Sequence, residues 1–145
     1  MDHSQQMKKI LESAIKEKAS DVLISVGHFP TIRITGQLMP LLKEKKLGAE
    51  DTKGLAFSLI NEDKKHRLLT EKEIDFSYDF EGKARFRVNI FFQRDAMSIA
   101  MRLVESDIKT IEDLSLPPVL HEFTSKSQGL VLVTGASGQG KSTTL

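Results

Sequence analysis

The strongest constraint on the fold is an alternation of apolar and polar residues that runs three times in succession between Ile74 and Leu103. Ile74, Phe76, Tyr78 and Phe80 alternate with Asp75, Ser77 and Asp79. Ala84, Phe86, Val88 and Ile90 then alternate with Arg85, Arg87 and Asn89, and Met97, Ile99, Met101 and Leu103 with Ser98, Ala100 and Arg102. Neighbouring side chains of a strand point to opposite faces, so a period of two describes a sheet with one buried and one wet side. The short separations predict an antiparallel meander. A three-residue turn at Glu81-Gly82-Lys83 pairs Phe80 with Ala84 and Phe76 with Val88, and a two-residue turn at Arg94-Asp95 pairs Phe92 with Met97 and Val88 with Met101. This register predicts a cross-strand ion pair between Asp79 and Arg85 and sets Arg87 directly opposite Arg102. Like charges so placed repel, so either an anion lies between them or both splay into water.

Before the meander, Met7, Ile10, Leu11, Ala14 and Ile15 recur at helical spacing behind Asp2 or Ser4 as a cap. Val22 to Val26, Thr31 to Thr35 and Leu38 to Leu41 read as strands, the last two joined at Gly36-Gln37. Two short helices follow, around Asp51 to Ile60 and from Asn61 to about Leu69. The Lys43-Glu44-Lys45-Lys46 run is a solvated loop with no interleaved aromatics, which speaks against nucleic-acid binding. The whole is an α+β domain.

Charge gives no broad attraction to nucleic acid or anionic lipid, since 21 basic residues face 20 acidic ones. Cysteine is absent, in keeping with a reducing compartment. No apolar run approaches the roughly 20 residues of a membrane span, so a soluble, cytosolic protein is expected, with any membrane association mediated by a partner. His3, His28, His66 and His121 have no metal-ligand spacing. The acids Glu71, Glu73 and Asp75 read as a solvated strand face.

Past Leu116-Pro117-Pro118 the character of the chain changes. A short helix at Val119 to Thr124 leads to Leu130-Val131-Leu132-Val133, an unbroken apolar run of the kind found in a central parallel strand. Directly after it, Gly135-Ala136-Ser137-Gly138-Gln139-Gly140-Lys141-Ser142 satisfies the phosphate-loop pattern GxxxxGK[ST]. The glycines let backbone N–H groups turn toward phosphate oxygens, Lys141 offsets charge on the outer phosphates, and the Ser142 hydroxyl is a magnesium ligand. ATP with Mg2+ is the expected cofactor, bound by residues 135–142 and Thr143. The apolar run in front of the loop disfavours a chance match.

Four stretches resemble the secretion and type IV pilus ATPases, and most closely their pilus-retraction members. They are Ala19-Ser20-Asp21 with Pro30 to Gly36, Glu73 to Tyr78 with Ala84 to Asn89, Thr110 to Pro117, and Gly129 to Leu145. The resemblance covers nearly the whole chain. It implies a PAS-like N-terminal domain over 1–104, a linker over 105–118 and the start of a RecA-like ATPase core over 119–145. It further implies a homo-hexamer at the cytoplasmic face of the inner membrane, acting on a pilus platform protein. In such ATPases, arginines of the N-terminal domain reach bound phosphates, a role that would fall to Arg87 and Arg102. Two departures stand out: Val22-Leu23-Ile24 follows the Ser-Asp pair where His and Leu are common, and Ala136 and Gln139 replace the usual proline and serine. Open alternatives are an assembly, type II secretion or competence ATPase, or a PAS-like interaction module; the start of the domain close to Met1 favours the retraction type. The water-activating acid is expected beyond Leu145, so this chain by itself is expected neither to hydrolyse ATP nor to form the nucleotide-ready loop.

Overall fold

A computed structural model describes residues 2–104, 110–136 and 139–145. The chain divides into two compact units, residues 1–106 and 107–145. Part of the expected linker, 105–109, and two loop residues, Ser137 and Gly138, lie outside the described residues.

The first unit opens with α1 (His3–Lys16), capped by the Asp2 carboxylate, which accepts from the Ser4 and Gln5 N–H groups at 3.0 and 3.4 Å. This satisfies two of the donors a helix start leaves free. Strands β1 (Asp21–Ile24), β2 (Thr31–Ile34) and β3 (Gln37–Pro40) come next, then α2 (Ala49–Ser58) and α3 (Glu62–Glu71). The Asn61 side chain caps α3, and Lys72, in the left-handed region at φ 64°, ends it. The meander is β4 (Glu73–Phe80), β5 (Ala84–Gln93) and β6 (Ala96–Val104), with the register expected from the turns, including Arg87 opposite Arg102. Arg94 and Asp95 both have positive φ, 49° and 63°, the backbone that a two-residue hairpin demands for its twist to match the strands.

All six strands join one antiparallel sheet in the order β3-β2-β1-β6-β5-β4. The closing contact is β1 against β6, with Val22 beside Met101 and Asp21 beside Arg102. One face is apolar: Val22, Ile24, Ile32, Ile74, Phe86, Val88, Ile90, Met97, Ile99 and Met101 are all buried. Against this core lie Met7, Ile10, Leu11 and Ala14 of α1, Leu55 and Ala56 of α2 and Leu68 of α3. Complete burial of each large aliphatic side chain contributes about 1.5–3 kcal/mol, so the helical stripe and the strand alternation together hold the unit. The opposite face of the sheet carries the charged residues.

In the second unit, Thr110 and Asp113 exchange hydrogen bonds of 3.0 and 3.1 Å around a turn, and α4 (Leu120–Thr124) and α5 (Lys141–Thr144) are short. The strand expected over Leu130 to Val133 is not formed. Residues 130–135 are irregular, and Leu130, Val131 and Leu132 are 82%, 54% and 74% exposed. A strand exists only through ladder bonds to a neighbour, and among the described residues none pairs with this run. Among the described residues the start of a RecA-like sheet is therefore not formed, although the apolar pattern is present.

Candidate functional site

Chemically capable residues occur in both units. In the second unit the motif leads into α5, which begins at Lys141. Gly140 precedes that helix at φ 81°, a left-handed conformation that glycine adopts without a Cβ penalty. Lys141 turns its ammonium back on the loop, donating to the Gly135 and Ala136 carbonyls at 2.8 and 2.7 Å. The Lys141 ammonium is thus held by two backbone carbonyls from the start of the motif. In charge the ammonium suits anionic oxygens, which would take the place of these two carbonyls. Ser142 offers a single hydroxyl that could serve a divalent metal as one ligand.

In the first unit the polar face of the sheet gathers Arg33, Arg87 and Arg102 with Asp21 and Asp75. Arg87 is gripped by Asp75 through both Nε and Nη2 at 3.1–3.3 Å, a two-pronged pair between exposed groups. Arg102 donates from Nε to Asp21 Oδ1 at 3.0 Å, and Arg33 donates from Nε to Asp21 Oδ2 at 3.1 Å. The Ser20 hydroxyl adds a third partner to Asp21 at 2.8 Å. Burial on its own would raise the Asp21 carboxyl, but Ser20 and the two guanidiniums outweigh it and hold the group below the usual carboxylate range. Asp75 in turn raises the Arg87 guanidinium above its ordinary value.

The expected contest between two facing arginines is therefore resolved in a third way. Arg87 pairs with Asp75, and Arg102 with the Asp21 it shares with Arg33, so neither a trapped anion nor simple splaying is needed. The ion pair expected between Asp79 and Arg85 is not formed, although the two residues are opposite each other. Asp79 instead accepts from the Gly82 N–H at 2.8 Å and stabilises the β4–β5 turn, a local bond that competes with the cross-strand one. Two participants escaped the sequence reading. Asp75 sits diagonally from Arg87, one step removed from its direct partner Ser77, and diagonal neighbours are within reach of long side chains. Asp21 reaches Arg102 only because β1 pairs with β6, a contact 81 residues apart in sequence.

The family model for type II/IV secretion system proteins matches residues 3–145. This chain belongs to that family. It is 33% identical over 140 residues to the type IV pilus ATPase PilU of Pseudomonas aeruginosa, covering 97% of this chain and 36% of that protein. It is 36% identical over 141 residues to the type IV pilus retraction ATPase PilT of the same organism, covering 94% and 40%. A crystal structure of the pilus retraction motor PilT with bound ADP superposes with a TM-score of 0.84 at 35% identity, over 94% of this chain and 40% of that one. The six-stranded sheet and its helices are thus the family's N-terminal architecture. The chain spans about two fifths of the length of these relatives. Among the described residues no helix is long and apolar enough to cross a membrane.

Proposed function

We propose that this chain is the N-terminal part of a hexameric ATPase that powers retraction of a type IV pilus. The observation that carries the proposal is the complete GxxxxGKS loop at Gly135 to Ser142, in a chain whose sheet domain is homologous to that of a retraction motor. On this reading Gly135 to Thr143 bind ATP. Lys141 exchanges the Gly135 and Ala136 carbonyls for phosphate oxygens, and Ser142 is one ligand of the accompanying Mg2+. A PAS-like domain over 1–104 and a linker over 105–118 precede a RecA-like core that begins at 119. The apolar run 130–133 becomes a strand when the rest of that core lies beside it. Arg87 and Arg102 reach the outer phosphates and stabilise charge on the group being transferred. Assembly as a homo-hexamer at the cytoplasmic face of the inner membrane, against a pilus platform protein, completes the picture.

The chain alone does not turn over ATP, because the water-activating acid lies in the part of the core that residues 119–145 do not include. The test is phosphate release by the full-length parent and by residues 1–145, each with and without Lys141→Ala. Turnover is expected only in the parent, and Lys141→Ala abolishes it, since a neutral side chain cannot offset outer phosphate charge. Magnesium-dependent release by the chain alone, lost with Lys141→Ala, would overturn the second claim. An unaffected Lys141→Ala parent would overturn the first.

A further inference from the structure

We infer that the two aspartates beside the sheet arginines act in opposite senses toward an incoming polyphosphate: Asp75 masks Arg87, whereas Asp21 positions Arg102. This inference rests on the reading that both arginines meet nucleotide phosphate.

The geometry separates the two carboxylates. Asp75 occupies Nε and Nη2 of Arg87 together, which is the edge a phosphate would use for a two-pronged contact. The pair is open to solvent, with Arg87 72% and Asp75 47% exposed. Such exposed pairs are weakly held, so a phosphate carrying more charge can displace the carboxylate. Arg102 is tied differently. Among the described residues its guanidinium bonds only through Nε, leaving both terminal nitrogens free to donate. Its partner Asp21 is only 13% exposed and is fixed by Ser20 and Arg33 as well. Asp21 therefore behaves as a rigid acceptor that aims the guanidinium without covering its end. Asn89 and Ala100, the next cross-strand pair on this face, line the shallow hollow beside the two arginines. A nucleotide would thus meet one arginine ready and one that must exchange its carboxylate. Asp21 is a positioning residue on this scheme, and Asp75 an internal competitor.

The experiment uses the full-length protein, measuring affinity for a non-hydrolysable ATP analogue with Mg2+ and steady-state turnover. Asp75→Ala is expected to tighten the analogue and lower KM about two- to fivefold, the range an exposed ion pair can supply. Asp79→Asn removes a charge from the same strand without touching Arg87 and should leave affinity unchanged. Equal tightening by both would reveal a general field effect and overturn the mask. Asp21→Asn is expected to lower kcat on the order of tenfold with little change in KM, since misdirected groups lose rate before they lose binding. If Asp21→Asn folds poorly by thermal melt, Ser20→Ala, which removes one anchor of the carboxylate, should lower kcat by a smaller factor. An unchanged kcat in the folded variant, with Arg102→Ala impaired, overturns the positioning role. Arg87→Ala weakening the analogue while Asp75→Ala does not tighten it overturns the mask and leaves the arginine reading standing. If neither Arg87→Ala nor Arg102→Ala differs from Arg85→Ala, the underlying reading fails and this inference goes with it.

Discussion

Replacement of Gly54 by alanine should change sign with the identity of residue 3. Gly54 lies within α2, where a Cβ would come 2.4–2.6 Å from Nδ1, Cε1 and Cγ of His3. No real Cβ tolerates that approach, so the ring of His3, at the first residue of α1, must be expelled. Two effects then oppose each other. Alanine is favoured over glycine in a helix interior by about 1 kcal/mol, whereas forcing extra volume into a packed contact costs roughly 1–3 kcal/mol. The long 3.8 Å contact between His3 and Asp51 adds little to the second figure. Gly54→Ala should therefore be neutral to destabilising by about 2 kcal/mol in the native chain. In a His3→Ala background the obstacle is gone, and the same change should stabilise by up to about 1 kcal/mol. The coupling energy between the two sites is then roughly 1–3 kcal/mol. Urea unfolding of the four chains of the cycle, followed by far-ultraviolet circular dichroism, measures it. A coupling near zero, with Gly54→Ala stabilising equally in both backgrounds, would refute the steric argument.

The remaining expectations concern the core and the charged turn. Phe86, 1% exposed and central to β5, should cost about 3–5 kcal/mol when changed to alanine, enough to remove most of the cooperative unfolding transition. The Glu81 carboxyl accepts from Lys8 of α1 and from Lys83, which lower it from 4.5 to about 2. Because the folded value is depressed, its stabilisation is complete above about pH 4.5 and is lost as pH falls toward 2. Glu81→Gln should flatten the acid limb of the stability profile in that window, and 0.5 M salt should do so in part; an unchanged limb would remove Glu81 from the account.

How much could be read without coordinates follows from the range of each interaction. The meander was legible because its information is local. Period-two alternation assigns the buried face, and a turn of known length then leaves a single register, so Arg87 opposite Arg102 follows from counting. The same holds for α1, whose stripe and Asp2 cap lie within one stretch of chain. The phosphate-loop pattern was equally plain, since its chemistry depends on residue types at adjacent positions.

Tertiary structure decided what those residues meet. Pairing of β1 with β6 joins segments about eighty residues apart in sequence, and neither segment carries a spacing that names the other. Only that pairing brings Asp21 to Arg102 and turns an apparent repulsion into an anchored guanidinium. Asp79 was opposite Arg85 by register, yet its carboxylate accepts from the turn amide of Gly82 instead. The apolar run at Leu130 to Val133 has the composition of a strand, but a strand is a relation between chains of hydrogen bonds. With no strand beside it among the described residues, the run stays irregular and Leu130, Val131 and Leu132 exposed.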